Sequence, residues 1–433
     1  MTLLQETDAG RDAGLVRALG PGALAANIFN IVVGAGIFAV PAALAANLGA
    51  YAPLAFLACA AAIGAVAICW AEGGSRVPTS GGAYGYVEAA FGPLAGIIAG
   101  TLLWISNVLA CGSVVAALAD VVASVLPGTI AAPARVAIII GVIAAIARVN
   151  VAGVRRGAAL ADVAAAIKLV PLLIFVVVGA FFVRSINLVP ASTPDTVGLG
   201  RALILALFAL TGMEAPLSAS GEVADPAKTI PRALLMALAL VSALYIAIQV
   251  VAQGILGATL AASQAPLADA MAAVHPLLRL MMVGGAAISM LGWIGSDILG
   301  SPRIIFAFAR DGLMPAAFGR LNPRTHTPAV AIAGYAALAI ALALSGTFAE
   351  LAVLSTLGGA SVYIMGSVAA WQLSRRGVAL AGPPLNFRWL GAAVVVAVSS
   401  MGTLIALASR EELLGLAAIV VATVIVHFVK RAS

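Results

Sequence analysis

Apolar runs long enough to cross a bilayer follow one another through this chain from residue 22 to residue 430. A spanning helix needs about 20 apolar residues. Twelve stretches meet that need: 22–47, 51–73, 87–125, 133–149, 157–183, 198–220, 231–256, 277–301, 328–345, 349–373, 387–408 and 412–430. The third is too long for one span, so its start at Phe91-Gly92-Pro93 is expected to be an interfacial turn or a tilt. Composition closes off the alternatives. Only 9% of the 433 residues are charged and the mean hydropathy is +1.13, whereas soluble domains carry about 25% charged residues. A chain so poor in charge must face lipid.

The basic residues test the count. With a cytoplasmic N-terminus and twelve spans, 17 Lys and Arg fall on inner ends and loops, Arg76 among them, and 5 fall outside, with Lys168 left mid-membrane. Basic residues collect on the cytoplasmic side, so this bias supports both the count and cytoplasmic termini. It also accounts for the net charge of +6 without any nucleic-acid partner. The polar start, Met1 to Arg17, does not resemble a signal peptide. No linker marks a second domain. The expected layout is a tail over 1–19 and a single transmembrane unit over 20–430. The 45 glycines suit close helix contacts in lipid.

Other chemistry finds little purchase. Cys59, Cys69 and Cys111 lie in apolar runs without CxxC spacing, which argues against a disulfide framework or a metal site. His275, His326 and His427 each fall near a membrane end, and the apolar runs hold no HExxH or GxSxG pattern. An intramembrane enzyme would need converging catalytic groups, so an enzyme is not expected, and no cofactor is implied.

Two apolar segments are interrupted. The first carries Gly34-Ala35-Gly36 near mid-span with Pro41 beyond; the sixth carries Thr211-Gly212-Met213-Glu214-Ala215-Pro216. Glycine costs about 1 kcal/mol in a helix interior relative to alanine. Irregular backbone at membrane depth is tolerated only where it lines a cavity or is buried in protein. Five is an odd number, so a repeat of segments 1–5 re-enters as segments 6–10 with the opposite orientation. Paired breaks at matching positions of two halves point to a transporter's binding site. Freed amides there suit a carboxylate and freed carbonyls an ammonium, the two poles of an amino acid.

Several motifs carry a family resemblance. Gly34-Ala35-Gly36-Ile37-Phe38 with Pro41, and Phe208-Ala209-Leu210-Thr211-Gly212-Met213-Glu214, resemble the helix-1 and helix-6 signatures of the amino acid–polyamine–organocation superfamily. Gly221-Glu222-Val223-Ala224-Asp225-Pro226, Pro302-Arg303 with Ala309-Arg310-Asp311-Gly312, and Pro78-Thr79-Ser80-Gly81-Gly82 match its loops in the right order. The resemblance implies an amino acid permease of the LeuT-type fold. That fold is all-α, with an inverted repeat of five plus five helices (about 20–185 and 197–373) and two extra helices (about 387–430). It also implies that Ala35 and Gly36 amides bind the substrate carboxylate, with Gly34 allowing the approach. The carbonyls of Val32, Phe208 and Thr211 then take the amino group beside Gly212, and Phe208 forms a lid. Ile37 and the stretch from Trp104 to Asn107 are candidates for the side-chain pocket.

Ionisable groups inside the membrane are costly, so each is a functional hypothesis. Lys168 matches the fifth-helix lysine of many superfamily members; it either carries a proton or stays charged and tethers carbonyls of the broken first helix. Glu214 suits proton binding, substrate contact or hydrogen bonding to free amides. Asp297 and Asp120 are expected to face the interior. The chain reads as a secondary transporter of amino acids in the bacterial plasma membrane, proton-coupled or exchanging. A cationic amino acid or polyamine antiporter, or a channel or sensor, remains the alternative.

Overall fold

The computed structural model describes residues 20–34, 36–77, 82–152, 168–190, 193–212, 226–310, 314–380 and 383–432. Ala35 and Glu214 lie outside them. Most of the described residues are helical, and none of them forms a strand. In order come α1 (Pro21–Val32), α2 (Gly36–Leu48), α3 (Ala52–Arg76), α4 (Gly82–Phe91), α5 (Pro93–Ala123), α6 (Gly128–Val151), α7 (Leu169–Gly179) and α8 (Thr196–Leu210). They are followed by α9 (Pro226–Leu256), α10 (Pro266–Ala272), α11 (Pro276–Gly300), α12 (Pro302–Arg310), α13 (Ala329–Ser345), α14 (Phe348–Arg375), α15 (Leu390–Ala406) and α16 (Arg410–Ala432).

Seven helical stretches among the described residues are long and apolar enough to cross a membrane: Gly36–Arg76, Pro93–Ala123, Gly128–Val151, Lys228–Ala262, Pro276–Ala309, Phe348–Arg375 and Arg410–Phe428. Four shorter apolar helices accompany them, Leu169–Phe182, Thr196–Leu210, Ala329–Ser345 and Leu390–Ala406. The over-long third apolar run divides at Gly92, whose φ of +89° suits glycine alone. Pro93 then starts α5 at a position where its missing N–H costs nothing.

The helices sort into two groups by what they touch. The first contains α1, α2, α3, α8 and α9: α9 packs on α1 and α3, and α8 on α2 and α3. The second contains α5, α6, α11 and α13, all in mutual contact and most weakly along the α11–α13 edge. Helix α14 runs between the groups, against α5 on one side and α3, α4 and α8 on the other. Its seam with α5 is fixed by a reciprocal serine pair. Ser106 Oγ donates to the Ser355 carbonyl at 2.5 Å, and Ser355 Oγ donates to the Ser106 carbonyl at 2.8 Å. Small residues and interhelical hydrogen bonds supply the attraction that lipid does not.

One charge departs from the sequence expectation, and another is more deeply buried than its position suggests. Asp120 does not face the interior: it pairs with Arg135 at 2.8 Å near the end of α5 and is 25% exposed. Its partner, on α6, is 27% exposed. Arg76, expected at an inner end or loop, is the last residue of α3, but it is only 2% exposed and pairs with Glu72, which is fully buried.

Candidate functional site

The first interruption is a short non-helical link between α1 and α2. Val33 closes α1 by donating to the Phe29 carbonyl at 2.8 Å, and the Gly34 amide turns back onto Val32 O at 2.7 Å. At the end of α8, Thr211 is extended (φ −74°, ψ 164°) and Gly212 has φ +109°, outside the range of ordinary side chains. The Thr211 amide reaches Phe208 O at 3.3 Å and its hydroxyl reaches the same oxygen at 2.7 Å.

The fold brings these two links side by side. A Cβ on Gly36 would stand 3.1 Å from Ala209 Cα, and one on Gly212 would stand 3.4 Å from Ile31 Cγ2. Glycine at 36 is therefore the reason the two backbones can approach. Ile37 is fully buried, and Phe208 is nearly so, its ring packed edge-on against Phe348 with centroids 5.8 Å apart.

Several side chains hold the first link in place. Lys168 Nζ donates to the Asn30 carbonyl in the last turn of α1. Tyr245 Oη, on α9, donates to Val32 O at 2.8 Å, and Ser289 Oγ, on α11, lies 3.5 Å from Gly34 O. The Trp293 ring stands against Gly34, so close that a Cβ added to this glycine would lie 2.9 Å from the ring's Cδ1. Val32 O thus accepts from both Gly34 and Tyr245, and Phe208 O accepts twice from Thr211. A substrate ammonium at these carbonyls would displace internal donors.

Trp104 and Asn107, on α5, gather elsewhere. Asn107 Nδ2 donates to Ser301 Oγ at 3.0 Å, and Ser301 Oγ donates to Asp297 Oδ1 at 2.7 Å. Tyr335 Oη donates to Asp297 Oδ2, and the Trp104 ring meets Tyr335 edge-on at 6.2 Å. This cluster touches the glycine links through α11, because Asp297 lies one turn from Trp293. Tyr245, Ser289, Trp293, Ser301 and Tyr335 escape the sequence reading. The available signal is a hydroxyl or indole within an apolar run, which would have to find a polar partner once buried.

Two helix ends side by side, inside a bundle of apolar helices, suit a polytopic membrane transport protein. Comparison with known proteins narrows the class. The model of the amino acid permease family matches residues 19–401, and the chain belongs to that family. It is 26% identical to the branched-chain amino acid permease of Bacillus subtilis (84% of this chain, 82% of the relative). It is 27% identical to the methylthioribose transporter of the same organism (76% of each). An uncharacterized transporter of Mycobacterium tuberculosis is 31% identical (79% of this chain, 77% of the relative).

Proposed function

We propose that this permease moves an amino acid across the bacterial plasma membrane by alternating access, binding it where the first and sixth segments are unwound. The observation that carries the reading is the side-by-side placement of the two links. The amides of Ala35 and Gly36 would take the carboxylate, with Gly34 giving room. The carbonyls of Val32, Phe208 and Thr211 would take the amino group, beside Gly212. Phe208 and Ile37 supply apolar walls that favour a smallish neutral side chain, with Trp104 and Asn107 further out.

The packing supports twelve spans arranged as a five-plus-five inverted repeat. Each of the first four apolar segments touches the segment five places later: α2 with α8, α3 with α9, α5 with α11, and α6 with α13. A pseudo-twofold axis relating two halves produces such pairings. Helices α15 and α16 then follow as extras, and both termini would be cytoplasmic.

The test is a thermal-stability scan of the purified protein against the twenty amino acids, common polyamines and methylthioribose. Uptake of each hit into proteoliposomes follows. A ligand bound to the native state raises stability by mass action. A stabilising amino acid that is also taken up saturably supports the proposal. Uptake driven by a pH gradient makes it a symporter; uptake that needs internal substrate makes it an exchanger. Polyamines or methylthioribose as the only hits would replace the substrate class, and unsaturable flux would indicate a channel.

A further inference from the structure

Asp297 is a carboxylate within an apolar helix that the amino acid site leaves unused. Ser301 donates to one of its oxygens at 2.7 Å, and Tyr335 donates to the other. These partners belong to the end of α11 and to α13. Both are neutral. Among the described residues no Lys or Arg pairs with Asp297. On the helices packed against α11, Arg135 pairs with Asp120, and Arg279, at the far end of α11 itself, lies 3.6 Å from Asp269. Lys168 is held on Asn30 O, and neither Arg148 on α6 nor Arg303 on α12 forms an ion pair with the carboxylate. A charge kept in a membrane helix without a counter-charge is expensive, and such groups mark proton and ion pathways.

The surroundings also suit exchange of a proton. Ser289, Trp293, Ser296 and Gly300 share one face of α11, at helical spacing. Ser289 and Trp293 meet the first glycine link, whereas Ser296 and Gly300 are exposed and Asp297 beside them is partly exposed. The hydroxyls of Ser301 and Tyr335 can turn from donor to acceptor, so either charge state of the carboxyl can be hydrogen-bonded. Ser301 leads on to Asn107, and Tyr335 to Trp104.

Building on the transport reading above, we propose that Asp297 takes up and returns one proton per transport cycle, its charge state reaching α5 through Ser301–Asn107 and Tyr335–Trp104. The reaction is a carboxylate plus a proton giving a carboxylic acid, with no further reactant. The test needs no substrate. Infrared difference spectra of the reconstituted wild type, recorded across a pH titration, should show the carbonyl band of a protonated acid that Asp297→Asn lacks. Tyr335→Phe should displace the pH at which that band appears, and it serves should the first variant fail to fold. In vesicles, Asp297→Asn should lose accumulation driven by a pH gradient, and Asp297→Glu should regain it. A band that persists in Asp297→Asn, or a titration unmoved by Tyr335→Phe, overturns the proton site. If wild type carries no amino acid, the transport reading fails, and the infrared band alone then decides whether Asp297 binds a proton.

Discussion

The Glu72–Arg76 cluster and the Lys168–Asp297 pair of sites deal with buried charge in opposite ways. At the end of α3, Arg76 Nε donates to Glu72 Oε1 at 2.8 Å, and its other nitrogens reach Val378 O at 3.0 Å, Ser374 Oγ at 3.0 Å and Asn386 Oδ1 at 2.6 Å. Glu72 Oε2 accepts from the Phe387 amide at 2.9 Å, and Ser75 Oγ accepts from the Leu385 amide at 3.0 Å. Opposite charges meet, and the connection between α14 and α15 closes over them. Lys168 and Asp297 instead have only neutral partners among the described residues. A fully satisfied ion pair suits a fixed joint. A charge without its complement suits a group whose state or partner changes.

The largest effect on stability should come from splitting the satisfied cluster. Arg76→Met leaves Glu72 buried without its counter-charge, and removing one partner of a buried pair costs about 3–5 kcal/mol. Thermal unfolding in detergent should report it as a large drop in Tm. The double variant Glu72→Gln/Arg76→Met should recover much of the loss, because neither side then carries a charge. A single-variant cost below about 1 kcal/mol would mean that the pair behaves like an exposed one, and the contrast with Lys168 would collapse.

Lys168 should respond in the reverse manner, with transport hit harder than stability. Lys168→Ala strands the Asn30 carbonyl, an unsatisfied acceptor worth about 1–3 kcal/mol, while uptake should be abolished. Lys168→Arg then separates the two roles that the sequence leaves open. A guanidinium is never deprotonated in this range. Retained uptake identifies a fixed tether on α1; lost uptake in a folded variant identifies a group that must give up a proton.

The interruptions themselves were legible in the sequence because helix breaking is local. Gly212 acts through its own backbone freedom, at φ +109°, whereas Gly34 and Gly36 give room to the Trp293 ring and to Ala209; the residue type and spacing of all three are visible in the sequence. The partners were not legible, because they come from far along the chain. Tyr245 is 213 residues from Val32, and Tyr335 is 38 from Asp297. Arg76 shows the same division. Its spacing of four from Glu72 is visible in the sequence, but its burial depends on residues about 300 positions later. Near the end of an apolar run it therefore reads as one of the charges at inner ends and loops. Asp120 errs the other way: the cost argument places it inside, and only the structure shows that it pairs with Arg135 at a partly exposed position.

Gly36→Ala tests how tightly the two links are held together. The added Cβ would lie 3.1 Å from Ala209 Cα and 3.3 Å from its Cβ, so the links must separate by a few tenths of an ångström. Overpacking of this kind costs about 1–3 kcal/mol. The variant should unfold at a lower temperature and lose stabilisation by the amino acid that stabilises wild type. If ligand stabilisation survives intact, the amino acid does not bind at the links, whatever the stability change.

The smallest effect belongs to Asp120–Arg135, a pair with a distance like that of Glu72–Arg76 but a different setting. Its side chains are 25% and 27% exposed, against 0% and 2% for the buried pair. Coulomb attraction in water is weak, and holding two side chains together costs conformational entropy, so exposed pairs contribute about 0.2–1 kcal/mol. Arg135→Ala should therefore leave Tm nearly unchanged, and added salt should reduce even that effect. Arg76→Met should keep most of its cost in the same salt. Equal losses for the two substitutions would show that a counter-charge matters wherever it lies. A large difference between them would assign the energetics to burial, the property that separates the fixed joint at Glu72–Arg76 from a pair at the rim.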